Sequence, residues 1–209
     1  MGSSRPSLVA LVDSGWSYGI EVHRVVQGRA FDLLESGSVR ISAEVSDRLG
    51  HGTLCGRLLL SASRRSVLLP LRIFSGQPVA SPTQLIASLD WLIKHPPDVA
   101  VFCIAMGILP EANLVATRCA ELAAKGTRLV AAVSNDGTAS IPADLESVVS
   151  VGLSGQRLES ELDVAFPSDE VESALLRASI LASPSASFAA ALMAARIADE
   201  LHQSSLSDH

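Results

Sequence analysis

Five short stretches of the chain are apolar at nearly every position: Leu8–Asp13, Ser66–Phe74, Asp98–Ile104, Arg128–Val133 and Val148–Gly152. Continuous runs of this length, without polar alternation, read as strands buried on both faces, as in a parallel sheet. Pro70 implies an irregularity in the second run, because proline donates no ladder hydrogen bond. The stretch from Gly28 to Ser46 has weaker patterning, and Arg29–Leu34 within it reads as an edge strand. Between the strands the period changes. Ser81-Pro82 starts a helix in which Leu85, Ile86, Leu89, Leu92 and Ile93 keep helical spacing until Pro96-Pro97. Ala112 to Lys125 is a second helix, closed by Gly126. Leu54 to Leu60 reads as an apolar helix start after Gly50-His51-Gly52-Thr53. Ser185-Ala186-Ser187-Phe188-Ala189-Ala190-Ala191-Leu192 predicts a tightly packed helix. Strands alternating with helices imply an α/β fold, a three-layer α/β/α arrangement around a mostly parallel, doubly wound sheet. The chain shows no repeat and no linker, so residues 1–202 form one expected domain and 203–209 a loose polar tail.

Composition narrows the function. Hydrophobic residues make up 48% of the 209 residues and charged residues 18%, which suits a globular core. A net charge of −6 and 4% aromatics argue against nucleic acid as a partner. No run is long enough to span a bilayer, so no membrane partner is expected. The first seven residues are too short and polar for a signal peptide, and a first strand at Leu8 leaves no room for an N-terminal pro-segment. Cys55, Cys103 and Cys119 are odd in number and sit in apolar segments. They suggest neither a disulfide framework nor a metal cluster, and a reducing cytoplasm is the expected setting. No acidic cluster has calcium-ligand spacing, and no cofactor or metal is expected.

Three polar residues and a pair of serines stand at strand ends or helix starts. Asp13 closes the first strand, where open α/β sheets gather their chemistry. His51 lies between two glycines, which allow close backbone approach. Asn135 lies in the turn after the fourth strand, and Ser185 and Ser187 precede the alanine run. Singly, each has a plainer role: a turn-forming Asx residue, a structural histidine, a helix N-cap. Together they supply what acyl transfer to water needs. A hydroxyl attacks, an imidazole takes its proton, a carboxylate orients the imidazole and a donor meets the oxyanion.

The chain resembles the subtilisin-like serine proteases. Val12-Asp13-Ser14-Gly15 is similar to the family's Asp motif. Leu49-Gly50-His51-Gly52-Thr53-Leu54-Cys55-Gly56 is similar to its His motif and is the most specific match. Ala131 to Gly137, followed by Pro142-Ala143, resembles the segment delivering the oxyanion asparagine. Ser185-Ala186-Ser187-Phe188-Ala189-Ala190 resembles the Gly-Thr-Ser-aromatic-Ala-Ala of the Ser motif. The likeness runs from about Leu8 to Leu201. It implies Asp13, His51 and Ser187 as catalytic residues and Asn135 as the oxyanion donor. It implies a peptide-pairing strand at Val101–Met106. Cys103, Ile104 and Ala105 would form one wall of the pocket for the residue before the scissile bond, and Ala132, Val133 and Ser134 the other. Ser140 would lie near its floor. Cys55 resembles the cysteine that thiol-containing members carry beneath the catalytic histidine.

Departures from the family pattern bear on activity. Ser134 replaces the glycine before the oxyanion asparagine, Ser185-Ala186 replaces Gly-Thr, and Ala191-Leu192 replaces Pro-His. Gly152 to Leu181 is short for the family. The resemblance implies an intracellular serine endopeptidase acting on a peptide or protein substrate. A restrained role such as removing the leader of a natural-product precursor fits, with a partner protein or a second copy as a possible restraint. The departures support a second reading, a pseudoprotease that holds an extended peptide uncut. A nucleotide-binding domain is disfavoured, because no glycine-rich phosphate loop follows the first strand.

Overall fold

The computed structural model describes residues 5–17, 22–74, 76–77, 79–104, 106, 111–155 and 163–207. In chain order the elements are β1 (Ser7–Asp13), one 3₁₀ turn (Val22–Arg24), β2 (Arg29–Leu33), β3 (Val39–Ser42), α1 (His51–Ala62), β4 (Ser66–Arg72) and α2 (Pro82–Lys94). They continue with β5 (Val99–Phe102), α3 (Ala112–Ala124), β6 (Arg128–Ala132), β7 (Val149–Leu153), β8 (Val164–Phe166), α4 (Ser168–Arg177) and α5 (Ala186–Ser207). One eight-stranded sheet has the order β3-β2-β4-β1-β5-β6-β7-β8. Among the strands of the described residues only the β2–β3 pair is antiparallel. Helices α1 and α5 pack together on one face, and α2 and α3 pack together on the other. The architecture is therefore the three-layer α/β/α sandwich that the strand–helix alternation implies. No helix among the described residues is long and apolar enough to cross a membrane.

The five apolar runs become the five adjacent strands β4, β1, β5, β6 and β7. They are buried because helices cover both faces, so alternation would have placed polar groups in the core. Val9 to Val12 of β1 and Val99 to Phe102 of β5 are at most 1% exposed. Arg29–Leu33 is not the edge strand: β3, which the sequence pattern did not mark, pairs outside it. Its burial pattern is half exposed to exposed throughout, so no apolar run announces it. Pro70 keeps a regular partner in Leu11 of β1. The irregularity lies on its other side. There the Val26 N–H bonds the Leu68 carbonyl, and the ladder resumes only at Arg29–Leu71.

Two helix limits differ from expectation. Helix α1 begins at His51 itself, one turn before Leu54. Helix α5 continues through Gln203 to Ser207 instead of ending before the polar tail. Along its first three turns α5 is buried almost all round, with Ala186, Ala189, Ala190, Ala191, Ala194 and Ala198 fully buried. Small side chains let this helix lie close to both the sheet and α1. Its middle is tied to β1 by the Ser7 hydroxyl, which donates to the Ala198 carbonyl at 2.9 Å.

Gly56 sits where α1 meets the sheet. A Cβ there would lie 2.7 Å from Trp16 Cζ3 and 2.9 Å from Leu68 Cδ2, and the indole is itself fully buried. Overfilling a packed core costs about 1–3 kcal/mol. Gly56→Val is expected to lose about 2 kcal/mol of stability, measured as a lower urea midpoint at unchanged slope. A midpoint equal to the wild type would show that the α1–sheet contact is slack.

Candidate active site

Asp13 is 1% exposed at the carboxyl end of β1. Its carboxylate accepts the Ser14 N–H at 2.5 Å and meets His51 Nδ1 with both oxygens, at 2.9 and 2.8 Å. Helix α1 must come very close for this contact. Gly52 makes that possible, since a Cβ there would lie 2.6 Å from the Gly15 carbonyl oxygen and 3.1 Å from Asp13 Oδ1. The Gly52 N–H also donates to Ser14 Oγ at 2.8 Å.

The loop leading to His51 is organised by Asp47, which the sequence analysis did not identify. Gly50 occupies the N-cap in a left-handed conformation (φ 81°) and brings no capping side chain. Asp47 supplies the missing acceptor. It takes the N–H groups of Leu49 (3.0 Å), Gly50 (2.8 Å) and Thr53 (2.8 Å), and the Thr53 hydroxyl (2.6 Å). Burial pushes this carboxyl up, but these hydrogen bonds, led by that of the Thr53 hydroxyl, bring it below its ordinary value. The available signal was an acid in the loop shortly ahead of a helix start.

The hydrogen bond to Asp13 raises the His51 pKa above its ordinary value. Burial opposes the shift, and the charges of Asp13 and Asp47 reinforce it. With Nδ1 held by Asp13, Nε2 is the ring nitrogen left to take a proton from a neighbour. The His51 ring lies 6.0 Å from that of Phe188.

Ser187 is the second residue of α5 and is half-buried. Its Oγ donates to the Cys103 carbonyl at 3.3 Å, and the Cys103 thiol donates back to the Ser187 carbonyl at 3.4 Å. Among the described residues no hydrogen bond joins Ser187 to His51. Ser185 stands just ahead of the helix, where its carbonyl accepts the Ala189 N–H. Asn135 is exposed just beyond β6, and its Oδ1 accepts the Ala186 N–H at 3.5 Å. That bond brings the Asn135 amide beside the first turn of α5. Ser134 Oγ is turned away to Asp136 at 2.6 Å. Together with the Thr138 donors it holds the Asp136 carboxyl down at about 2.

These groups line one open cleft of about 610 Å³. Its walls include Asp13, His51, Ser187, Asn135, Cys103, Ile104, Ala132, Val133 and Ser134, with apolar Leu49, Phe74, Val79, Ala80 and Met106. Ala105 lies outside the described residues. Ser140 does not line the cleft: it is 2% exposed, its N–H bonds Asp144, and its Oγ has no partner among the described residues. The expected peptide-pairing strand is shorter than Val101–Met106. Val101 and Phe102 already pair with β1 and β6 on either side, and Met106 exchanges both backbone hydrogen bonds with Ile141.

Cys55 lies one turn along α1, with Sγ 4.0 Å from His51 Nδ1 and 3.9 Å from Nε2. Asp13, His51 and Cys55 are the one cluster among the described residues whose donor atoms, within 4.8 Å of each other, could hold a metal. The set includes nitrogen and sulfur, unlike the all-oxygen set that calcium takes.

No family profile matches this sequence, and no curated protein matches it significantly. Solved structures do match in fold. The epidermin leader peptide processing serine protease EpiP from Staphylococcus aureus is 15% identical, with a TM-score of 0.79 over 99% of this chain and 68% of that one. A cold adapted subtilisin-like serine proteinase is 19% identical, with a TM-score of 0.74 over 94% and 76%. The nisin leader peptidase NisP from Lactococcus lactis is 15% identical, with a TM-score of 0.71 over 97% and 80%. At these identities the shared property is the subtilisin-like fold.

The Asp13–His51 contact predicts a titration. The His51 ring, followed by NMR, is expected to titrate above about 6.5, the ordinary histidine value. Asp13→Asn is expected to lower the midpoint, since the leading cause of the shift is removed. A raised folded-state pKa stabilises the protein fully below the unfolded value, and that contribution is lost as pH rises through the folded value. An unchanged midpoint in Asp13→Asn would show that the contact does not control the imidazole.

Proposed function

We propose that the protein is a serine peptidase that cleaves peptide bonds through an acyl-enzyme. The observation that carries this reading is the convergence, in one cleft, of a buried carboxylate–imidazole pair, a serine on a helix N-terminus and an asparagine beside it. In the proposed reaction the Ser187 hydroxyl rotates from the Cys103 carbonyl toward His51 Nε2. Catalytic hydrogen bonds commonly tighten only when substrate is bound. Neutral His51 takes the proton as Ser187 Oγ attacks the scissile carbonyl. Asp13 holds the imidazole tautomer and stabilises the imidazolium. The Asn135 NH₂ and the Ser187 N–H meet the oxyanion, aided by the positive end of α5. His51 then protonates the leaving amine. Water repeats the sequence to release the acid.

The substrate we infer is a peptide or protein segment in extended conformation, with apolar side chains for the Phe74–Val79–Ala80 side of the cleft. Removal of a leader from a precursor peptide is the specific role proposed. Two of the folds that resemble this one, EpiP and NisP, are described as leader-processing enzymes. Three free, buried cysteines suit work in a reducing compartment. The pseudoprotease reading has one observation in its favour, the Ser187 hydroxyl resting on Cys103 instead of His51.

A fluorophosphonate probe separates the two readings. Labelling is expected on Ser187, with Ser187→Ala unlabelled and folded. Tight peptide binding without labelling would favour the pseudoprotease. On a cleaved peptide, Asn135→Ala is expected to lower kcat by about a hundredfold or more at little changed KM, as for loss of one oxyanion donor. An unchanged kcat would reduce Ser134-Asn135 to a turn.

A further inference from the structure

The turn that carries Asn135 also carries a charge. The Gly137 N–H donates to the Ser134 carbonyl at 3.2 Å, so Asn135 and Asp136 are the two central residues of one tight turn. Both are exposed, and both line the cleft. Among the described residues of that lining, the charge-bearing side chains are Asp13, His51 and Asp136. Asp13 is buried and engaged by His51, so Asp136 is the carboxylate open to a bound molecule. Among the described residues no lysine, arginine or histidine pairs with it.

The carboxylate is held from one side. Ser134 Oγ at 2.6 Å, the Thr138 N–H at 3.0 Å and the Thr138 hydroxyl at 2.7 Å all donate to the same oxygen, Oδ1. Oδ2 receives no hydrogen bond among the described residues. A glycine at position 134, as in the family that the chain resembles, would offer no such hydroxyl. The same donors hold the carboxyl down at about 2, so it is ionised wherever His51 is neutral.

We propose that Asp136 selects substrates with lysine immediately before the scissile bond, the ammonium binding at Oδ2. The place of the scissile bond rests on the peptidase reading; the affinity of the cleft for a cation does not. A carbonyl that meets the Asn135 amide brings the side chain of its own residue beside the other central residue of the turn. An ammonium needs one open oxygen, whereas the paired hydrogen bonds of an arginine fork need two. The methylene stem of lysine suits Ile104, Ala132 and Val133, which line the same cleft. The net charge of −6 favours the approach of a cationic peptide.

The experiment uses two peptidyl coumarin amides with the same apolar residues upstream. One joins lysine to the coumarin and the other norleucine, which is lysine without its ammonium. The lysine amide is expected to be cleaved with a kcat/KM about fivefold higher, the upper end for an ion pair open to solvent. Sodium chloride at about 1 M is expected to shrink that ratio. In Asp136→Asn the preference for lysine is expected to disappear, and in Asp136→Lys the ratio is expected to fall further still. Each ratio is taken within one variant, so a loss common to both amides cancels. Two results each overturn the proposal: a wild-type ratio of one or less, or a lysine preference that persists in Asp136→Asn. If the wild type neither reacts with fluorophosphonate nor cleaves either amide, the peptidase reading fails. The ratio is then read from dissociation constants, measured by coumarin anisotropy, and the same two results decide whether Asp136 binds the ammonium.

Discussion

An ionised carboxylate buried at the end of a central strand needs donors, because its desolvation costs several kcal/mol. Asp13 finds them in the Ser14 N–H and in His51, and much of the surrounding structure follows from that need. The first residue of α1 must be brought against the end of β1, so the second must be glycine. The loop before it must be fixed, and Asp47 fixes it with four hydrogen bonds. Helix α1 then packs along α5, whose first turn carries Ser187. A single buried charge thereby relates three elements that are distant in sequence.

Much of this was legible in the chain. Strands buried on both faces announce themselves, since neither side can accept polar residues, and all five such runs became neighbouring strands. Asp13, His51, Asn135 and Ser187 stood out because polar residues at strand ends and helix starts interrupt an otherwise apolar pattern. What was not legible has physical reasons. Strand β3 is largely exposed and carries no apolar run. Strand β8 is only three residues long, and α4 was passed over although its apolar positions Val171, Ala174 and Leu175 keep helical spacing. Asp47 looks like any loop acid until the backbone folds its donors around it. Ser140, a position carried over by resemblance, is buried and is not among the residues that line the cleft.

The likeness to the leader-processing enzymes and to the cold adapted proteinase lies in architecture, at 15–19% identity. The local chemistry is this chain's own. Ser134, where the subtilisin-like proteases that the chain resembles have glycine, lines the cleft with its hydroxyl bonded to Asp136. Ser185 is placed ahead of α5 and contributes its carbonyl to the helix. Both departures are thus accommodated by ordinary turn and cap geometry, and neither displaces Asn135 from the first turn of α5.

The alanine lining of α5 divides the cleft mechanically. A helix seated by methyl groups against sheet and neighbour has no slack in which to tilt, so Ser187 stands on an anvil. Another part of the rim is built differently: Leu49 and Val79 line the cleft, are exposed, Val79 by 76%, and lie in segments outside helices and strands. Under the proposed peptidase reading, fitting a new substrate falls to that rim. Selectivity can drift there residue by residue while the reacting groups keep their places.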